Sequence, residues 1–263
     1  MRASWQHRLL RPIWARLEDT VAKAVTPLLA QQEQQLAQLR DENRRIYDRL
    51  IEFEIRTRRD VVYAADRQAA LESAQFVRAH LPDAPRFDDP HRTLEHALSL
   101  APTGGMALEF GVYTGSTLKI IAAARTSGGV FGFDSFQGLP EDWRIDFPAG
   151  SFDVEDRPEV TGAELVVGWF ADTLPGFLDE HPGPVDFLHV DADLYSSTKT
   201  VLDLVGPRLR PGSVLVFDEF FNFPGWQEHE YRAWREYVER TGMSVSYEGY
   251  SYANEQVIVR LTP

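Results

Sequence analysis

Residues 185–220 constrain the fold of this chain more than any other stretch. Val185-Asp186-Phe187-Leu188-His189-Val190 is a short apolar run that breaks at Asp191-Ala192-Asp193. Val201, Leu202, Val205 and Leu209 then recur at helical steps, and Pro211-Gly212 stops them. A second apolar run, residues 214–217, ends in Asp218-Glu219. Strand, helix and strand within about thirty residues make a parallel βαβ unit. Paired strands lie about 4.8 Å apart, and open α/β sheets build their sites at the carboxyl ends of the strands. Asp191, Asp218 and Glu219 are therefore expected to share one crevice. Crowded carboxylates raise one another's pKa unless a cation or a substrate proton relieves them. The cluster reads either as a magnesium-type oxygen site or as acidic strand ends facing water.

At 263 residues the chain is long enough for one substantial domain and an appendage. No run approaches eighteen apolar residues, so no membrane-spanning helix is expected, and Arg8, Arg11 and Arg16 interrupt any secretory leader. The lack of cysteine excludes disulfides, thiolate metal sites and a cysteine nucleophile, and fits a cytoplasmic protein. A net charge of −13 opposes binding to a phosphate backbone, so nucleic acid is not expected as a partner.

Residues 1–28 read as an amphipathic helix. Trp5, Leu9, Ile13, Leu17, Val21 and Val25 fall at four-residue steps, interrupted by Pro12, and Arg2, Arg8, Arg11 and Arg16 make its start basic. Such a face packs on a partner subunit or lies on an anionic membrane as an interfacial helix. From Leu36 the pattern turns to heptads, with Leu36, Asn43 and Leu50 at a positions and Leu39, Ile46 and Phe53 at d positions. An Asn at one a position fixes register in two-stranded coiled coils, so residues 30–57 are expected to hold a homodimer. A helix docked on its own domain gives nearly the same pattern. A helix over residues 66–80 follows, then a linker punctuated by Pro82, Pro85 and Pro90, and Asp89-Pro90 opens a helix reaching Leu100. These breaks divide the chain into a helical extension, 1–85, and a second domain, 86–263.

Gly104-Gly105 precedes a strand over residues 106–111, a tight turn to Ser116 and a compact helix over 117–124. Glycines let the backbone approach a ligand there, and the helix N-terminus offers free N–H groups. The next strand, 130–133, ends at Asp134, an acid placed to accept hydrogen bonds from ribose hydroxyls. Residues 136–160 show no regular pattern, which in a compact domain reads as a lid or substrate loop. A strand over 164–168 leads to Trp169-Phe170, where a planar base can stack or the core can close. After the βαβ unit come the aromatic loop 221–226, a helix over 227–241, and two alternating strands, 244–250 and 256–261, that read as an antiparallel hairpin.

Several motifs in this order carry a family likeness: Glu109-Phe-Gly-Val-Tyr-Thr-Gly-Ser-Thr117, Phe131-Gly-Phe-Asp-Ser-Phe-Gln-Gly-Leu-Pro140, Gly168-Trp-Phe-Ala-Asp-Thr-Leu-Pro175, His189-Val-Asp-Ala-Asp-Leu-Tyr-Ser-Ser-Thr198 and Val216-Phe-Asp-Glu219. The chain resembles the class I S-adenosylmethionine-dependent methyltransferases, and within them the macrocin-type O-methyltransferases of antibiotic sugars. The resemblance implies an α/β, Rossmann-like sheet of order 3-2-1-4-5-7-6 with the last hairpin antiparallel. It implies that Glu109, Gly111, Tyr113, Thr114, Gly115 and Ser116 line the methionine end of S-adenosylmethionine. It also implies that Asp134 holds the ribose, while Ser135, Phe136, Trp169 and Phe170 surround the adenine. A magnesium ion would fall to Asp191, Asp218 and Glu219, although the family usually carries Asp-Asp where this chain has Asp218-Glu219.

The implied reaction passes the sulfonium methyl to a hydroxyl of a small molecule, a sugar or a glycosylated natural product. An alcohol is a poor nucleophile at neutral pH and needs a base, a metal ion or both. Asp191 is the first candidate base, with His189 and His229 as rivals, and Phe221, Phe223 and Trp226 are candidates to stack on the acceptor. Two other readings use the same residues. A nicotinamide oxidoreductase lacks its G-x-G-x-x-G here, since position 113 is Tyr; a non-catalytic or membrane-tethered dimeric subunit would use the basic N-terminal helix.

Overall fold

The computed structural model describes residues 3–127 and 129–263, with side chains described from Trp14 onward. The chain divides into two compact units, residues 1–64 and residues 65–263. The first is dominated by one helix, α1 (Ala3–Arg59), 57 residues long. Sequence reading placed an amphipathic helix and a separate heptad segment here; the structure joins them, and the helix runs on through Pro27. At 1.5 Å per residue α1 is about 85 Å long. The side chains of Arg2, Trp5, Arg8, Leu9, Arg11 and Ile13, part of the basic and apolar pattern, lie outside the described residues. Asp60 ends α1 and caps the next helix, α2 (Val61–His80), its Oδ1 accepting from the Val62 and Tyr63 amides. No helix among the described residues is long and apolar enough to cross a membrane.

In the second unit the strands are β1 (Arg86–Phe87), β2 (Met106–Phe110), β3 (Val130–Asp134), β4 (Glu164–Val167), β5 (Val185–Val190), β6 (Leu209–Phe217), β7 (Val245–Ser251) and β8 (Val257–Leu261). They form one sheet in the order β1-β7-β8-β6-β5-β2-β3-β4. Read from β4, strands β4-β3-β2-β5-β6-β8-β7 reproduce the expected 3-2-1-4-5-7-6 order, with β8 antiparallel to both β6 and β7. The eighth strand, β1, sits in what the prolines mark as a linker. It pairs parallel with β7 and is too short to carry an alternation signal.

Every residue of β2 and β5 is buried, which explains why these strands read as continuous apolar runs: both faces of the sheet are covered. Helices α3 (Pro90–Leu100) and α4 (Ser116–Ala124) pack Leu94, Ala97, Leu118 and Ile121 on Ala107, Phe187 and Val216 of one face. Helices α5 (Phe170–Glu180), α6 (Tyr195–Val205) and α7 (Glu230–Thr241) cover the other, where Phe110, Phe133, Leu188 and Phe217 meet Leu174, Val201 and Trp234. The expected helix at Asp89-Pro90 forms, with the Asp89 side chain accepting from the Arg92 amide. Ala69, Ser73 and Phe76 of α2 are buried within this unit, so part of the segment read as extension packs as core.

The strand ends opposite the crevice are locked by Asp186, which is fully buried. It accepts from the Gly105 amide at 2.6 Å and from Arg210 Nη2 at 2.6 Å, with Arg125 Nη2 at 3.8 Å. Gly105 has no room for a side chain, because a Cβ there would meet the Asp186 carboxyl at 2.6 Å. Breaking a buried ion pair on one side leaves an uncompensated charge. Asp186→Ala is expected to cost about 3–5 kcal/mol in urea unfolding while leaving ligand affinity of the folded protein unchanged.

Candidate active site

The site is built from the carboxyl ends of β2, β3, β5 and β6. Gly111 follows β2 at a φ of 94°, and a Cβ there would collide with the Asp191 backbone carbonyl. Only glycine lets the first turn pass this close to the end of β5. Tyr113 takes a φ of 48°, a left-handed conformation that costs a non-glycine residue energy. The turn is held by Asp134 at the end of β3, whose Oδ2 accepts from the Val112 and Tyr113 amides, both at 2.9 Å. Its Oδ1 accepts from the Phe136 amide at 2.7 Å and keeps a lone pair for a further donor.

A cavity of about 460 Å³ opens beside this turn. Gly111, Tyr113, Asp134, Ser135, Trp169 and Phe170 line one part of it, and Asp191, Asp193 and Glu219 another. The first six are among the residues that the resemblance assigned to S-adenosylmethionine, and Asp191 and Glu219 are two of the three it assigned to a metal; Asp193 was not among them. Glu109 is fully buried behind the strand ends, and its Oε2 has no hydrogen-bond partner. Thr114 and Ser116 are exposed on the turn, outside the cavity lining, and Gly115 caps α4 with a φ of 75°. The Phe136 ring is buried on the other face of the sheet with Val112, Leu118 and Val160, so only its amide joins the site.

Carboxylate oxygens of Asp191, Asp193 and Glu219 lie within 4.8 Å of one another. Burial, then the Asp218 charge, raises Asp191 well above the ordinary carboxylate range. Burial pushes Asp193 up to about 7, against the pull of Arg144. Burial and the neighbouring Asp191 raise Glu219 in the same way, and its buried Oε2 has no partner. Three hard oxygen donors, one of them orphaned, fit a small divalent cation. Asp218 is drawn off: it accepts from Gln256 Nε2 at 3.1 Å, and His189 Nε2 stands 3.4 Å away. Asp193 stands in the cluster instead, and its position two residues after Asp191 was the overlooked signal.

His189 is buried between two carboxylates, with Nδ1 2.9 Å from Glu109 Oε1. Burial pushes its pKa down, but the bonds to Asp218 and Glu109 outweigh it and hold the ring protonated well above the usual value. Both ring nitrogens are engaged, and neither His189 nor Asp218 is part of the cavity lining. His229 is half-buried outside the cavity lining, its ring 5.6 Å from that of Phe223, and burial followed by Arg144 lowers its pKa. Phe221, Phe223 and Trp226, expected to offer faces to an acceptor, are buried. Phe76 and Tyr231 close on Trp226, and Trp143 on Phe223, because the aromatic loop has the core of this unit to fill.

Besides Asp193, two residues placed around the cluster escaped sequence reading. Glu230, fully buried at the start of α7, accepts from the Glu219 amide at 3.0 Å through Oε2. Its Oε1 accepts from the Ala192 amide at 3.3 Å and from Thr198 Oγ1 at 3.4 Å. It thus ties both acidic strand ends to one helix; an acid inside a polar helix start gives no signal of this. Arg144, in the irregular loop 136–160, lies 3.9 Å over the Trp143 ring and pairs with both Glu255 oxygens at 3.1 Å. Arg144 and Glu219 also line a second cavity of about 420 Å³ with Asp218, Asn222, Asn254 and Gln256.

Residues 108–220 match the family described as Methyltransferase domain. An 8-demethyl-8-(2,3-dimethoxy-alpha-L-rhamnosyl)-tetracenomycin-C 4'-O-methyltransferase of Streptomyces olivaceus is 29% identical over 163 positions, covering 51% of this chain and 60% of the relative. The chain thus spans less than two thirds of that relative's length. The crystal structure of CalS11, a calicheamicin methyltransferase, is 25% identical, with 65% of this chain and 76% of that one covered and a TM-score of 0.51. The O-methyltransferase NovP is 21% identical, with 66% and 79% covered and a TM-score of 0.48.

Removing the Glu230 carboxylate orphans two buried amides at the strand ends. Glu230→Ala is expected to lower stability by about 1–3 kcal/mol or more, read as a drop in the urea midpoint, with Glu230→Gln losing less because one carbonyl acceptor survives.

Proposed function

We propose that this chain is an S-adenosylmethionine-dependent methyltransferase and that it transfers a methyl group to a hydroxyl of a small molecule, a sugar or glycosylated natural product. The observation that carries this reading is the junction of two chemistries in one cavity: a glycine turn capped by Asp134 and a cluster of Asp191, Asp193 and Glu219. The rhamnosyl 4'-O-methyltransferase supports a sugar-borne hydroxyl as acceptor, and the calicheamicin methyltransferase supports methyl transfer to a natural product. The absence of cysteine supports a cytoplasmic reaction.

S-adenosylmethionine supplies an activated methyl on a sulfonium sulfur, which departs as a neutral thioether. The free lone pair of Asp134 accepts from the ribose, and Trp169 and Phe170 provide faces for the adenine. Glu109, Gly111, Tyr113, Thr114, Gly115 and Ser116 form or support the turn at the methionine end. The acceptor oxygen forms its new bond to carbon as its proton passes to the Asp191–Asp193 pair. Burial and like charge raise the proton affinity of both, Asp193 to about 7, which suits a group that takes up a proton at neutral pH. The second cavity, with Asn222, Asn254 and Gln256, offers amides to the other hydroxyls of the acceptor.

We assign a magnesium ion to the same carboxylates, which would polarise the hydroxyl and offset their charge. Asp191, Asp193 and Glu219 are the set with oxygens already in reach, while Asp218 is held by Gln256 and His189.

Calorimetric titration with S-adenosylmethionine, followed by labelled methyl transfer to a glycoside panel, tests the reading. No binding of this cofactor, or tight binding of a nicotinamide dinucleotide instead, would overturn it. Asp134→Ala is expected to weaken S-adenosylmethionine binding about ten- to a hundredfold, since a charge-assisted bond and the cap of the turn are both lost. Activity is expected to fall in excess chelator and return with magnesium. Asp193→Asn should then raise the magnesium concentration needed for half-activity more than Asp218→Asn does. The reverse order assigns the third carboxylate to Asp218, and full turnover in chelator removes the metal altogether.

A further inference from the structure

The long helix α1 carries an apolar seam that the proposed reaction leaves unused. Trp14, Leu17, Val21, Val25 and Leu28 are between 42% and 61% exposed and follow one another at steps of three, four, four and three residues. Leu36, Leu39, Ile46, Leu50 and Phe53 are 52% to 60% exposed and follow strict heptads with Asn43. The spacing from Trp14 to Val25 to Leu36 is an eleven-residue repeat, and the spacing from Leu36 onward is a seven-residue one. A straight helix matches neither for long, and both are seams of helices that wind around a partner helix.

We infer that α1 pairs with α1 of a second copy of this chain, parallel and in register, as a two-stranded coiled coil over residues 14–57. Three observations select this occupant. Ten apolar side chains half exposed on one stripe amount to roughly 1,000 Å² per helix, above the about 800 Å² per partner of a stable interface. Asn43 falls at an a position, where it is satisfied by the same residue of an in-register copy, a known device of two-stranded coils. The flanking charges then choose the orientation. With Asn43 against its copy, a parallel pair sets Arg49, at g, beside Glu54, at e of the other helix, and Gln35 beside Arg40. An antiparallel pair sets Glu42 beside Glu42 and Glu33 beside Glu54. Arg49 makes no ion pair among the described residues, and its partner Glu54, bonded through Oε1 to Arg58 of its own helix at 3.1 Å, keeps its second carboxylate oxygen for it. The pairing is independent of the methyl-transfer reading and stands or falls without it.

The chain has no cysteine, so single introduced thiols report the pairing cleanly. Sedimentation of the full chain should give twice the chain mass, and Leu39→Glu with Ile46→Glu should halve it without loss of helical signal. Leu36→Cys alone should cross-link with itself under mild oxidant. Leu36→Cys that cross-links only when mixed with Leu50→Cys would mean an antiparallel pair and overturn the orientation. A full chain that sediments at the mass of one copy overturns the pairing, whether α1 then folds back on its own chain or co-sediments with vesicles of anionic phospholipid.

Discussion

One buried carboxylate holds the two halves of the site together. Glu230 reaches from the start of α7 to the amide after the end of β5 and to the amide of Glu219 after β6. Strand ends in an open sheet have no regular partner for their next amides, and these two would otherwise be buried donors without acceptors. By taking both, Glu230 sets how far Asp191 and Asp193 stand from Glu219. Burial raises the pKa of Glu230, while its bonds to those amides lower it, so its proton and its grip on the loops are linked.

The same logic of close approach runs through the nucleoside side. Gly111 must be glycine because the backbone of Asp191 occupies the place of its Cβ, and Asp134 must be an acid because three amides point at it. The turn is therefore built before any ligand arrives. Its cost, a left-handed Tyr113, is carried by hydrogen bonds that an apolar residue at 134 would not make.

How much of this was legible in the sequence follows from range. Strands β2 and β5 and the helix capped at Asp89 announce themselves through local periodicity and turn chemistry, and the sheet order followed from the family likeness. Asp134, Trp169 and Asp191 were legible because they sit at a strand end or within two residues of one: Asp134 closes β3, Asp191 follows β5 directly and Trp169 follows β4 by two residues. Glu230 and Arg144 were not, since each acts on residues far along the chain and neither disturbs a local pattern. Aromatic residues misled for the converse reason: Phe221, Phe223 and Trp226 look like a binding face in a loop, but burial of large rings is worth more than their exposure, and the core takes them. Two-residue β1 lies below the length at which alternation exists at all.

Charge balance completes the argument for what the cavity holds. Glu109, Asp191, Asp193, Asp218, Glu219 and Glu230 are all wholly or largely out of water at the ends of adjacent strands. Facing them are one protonated imidazole, His189, wedged between Glu109 and Asp218, and one guanidinium, Arg144, already paired with Glu255. His189 settles the two acids it touches, which is why Asp218 alone of the three strand-end acids named from sequence has a lowered pKa. Asp191, Asp193 and Glu219 make no ion pair among the described residues, and burial raises all three against the weaker pull of His189 on Asp191 and of Arg144 on Asp193. Such a set stays charged only by gaining a cation, and stays neutral only by keeping protons. Under the proposed methyl transfer, the set in its ionised form takes the proton of an acceptor hydroxyl, and a bound cation would instead act by lowering the pKa of that hydroxyl.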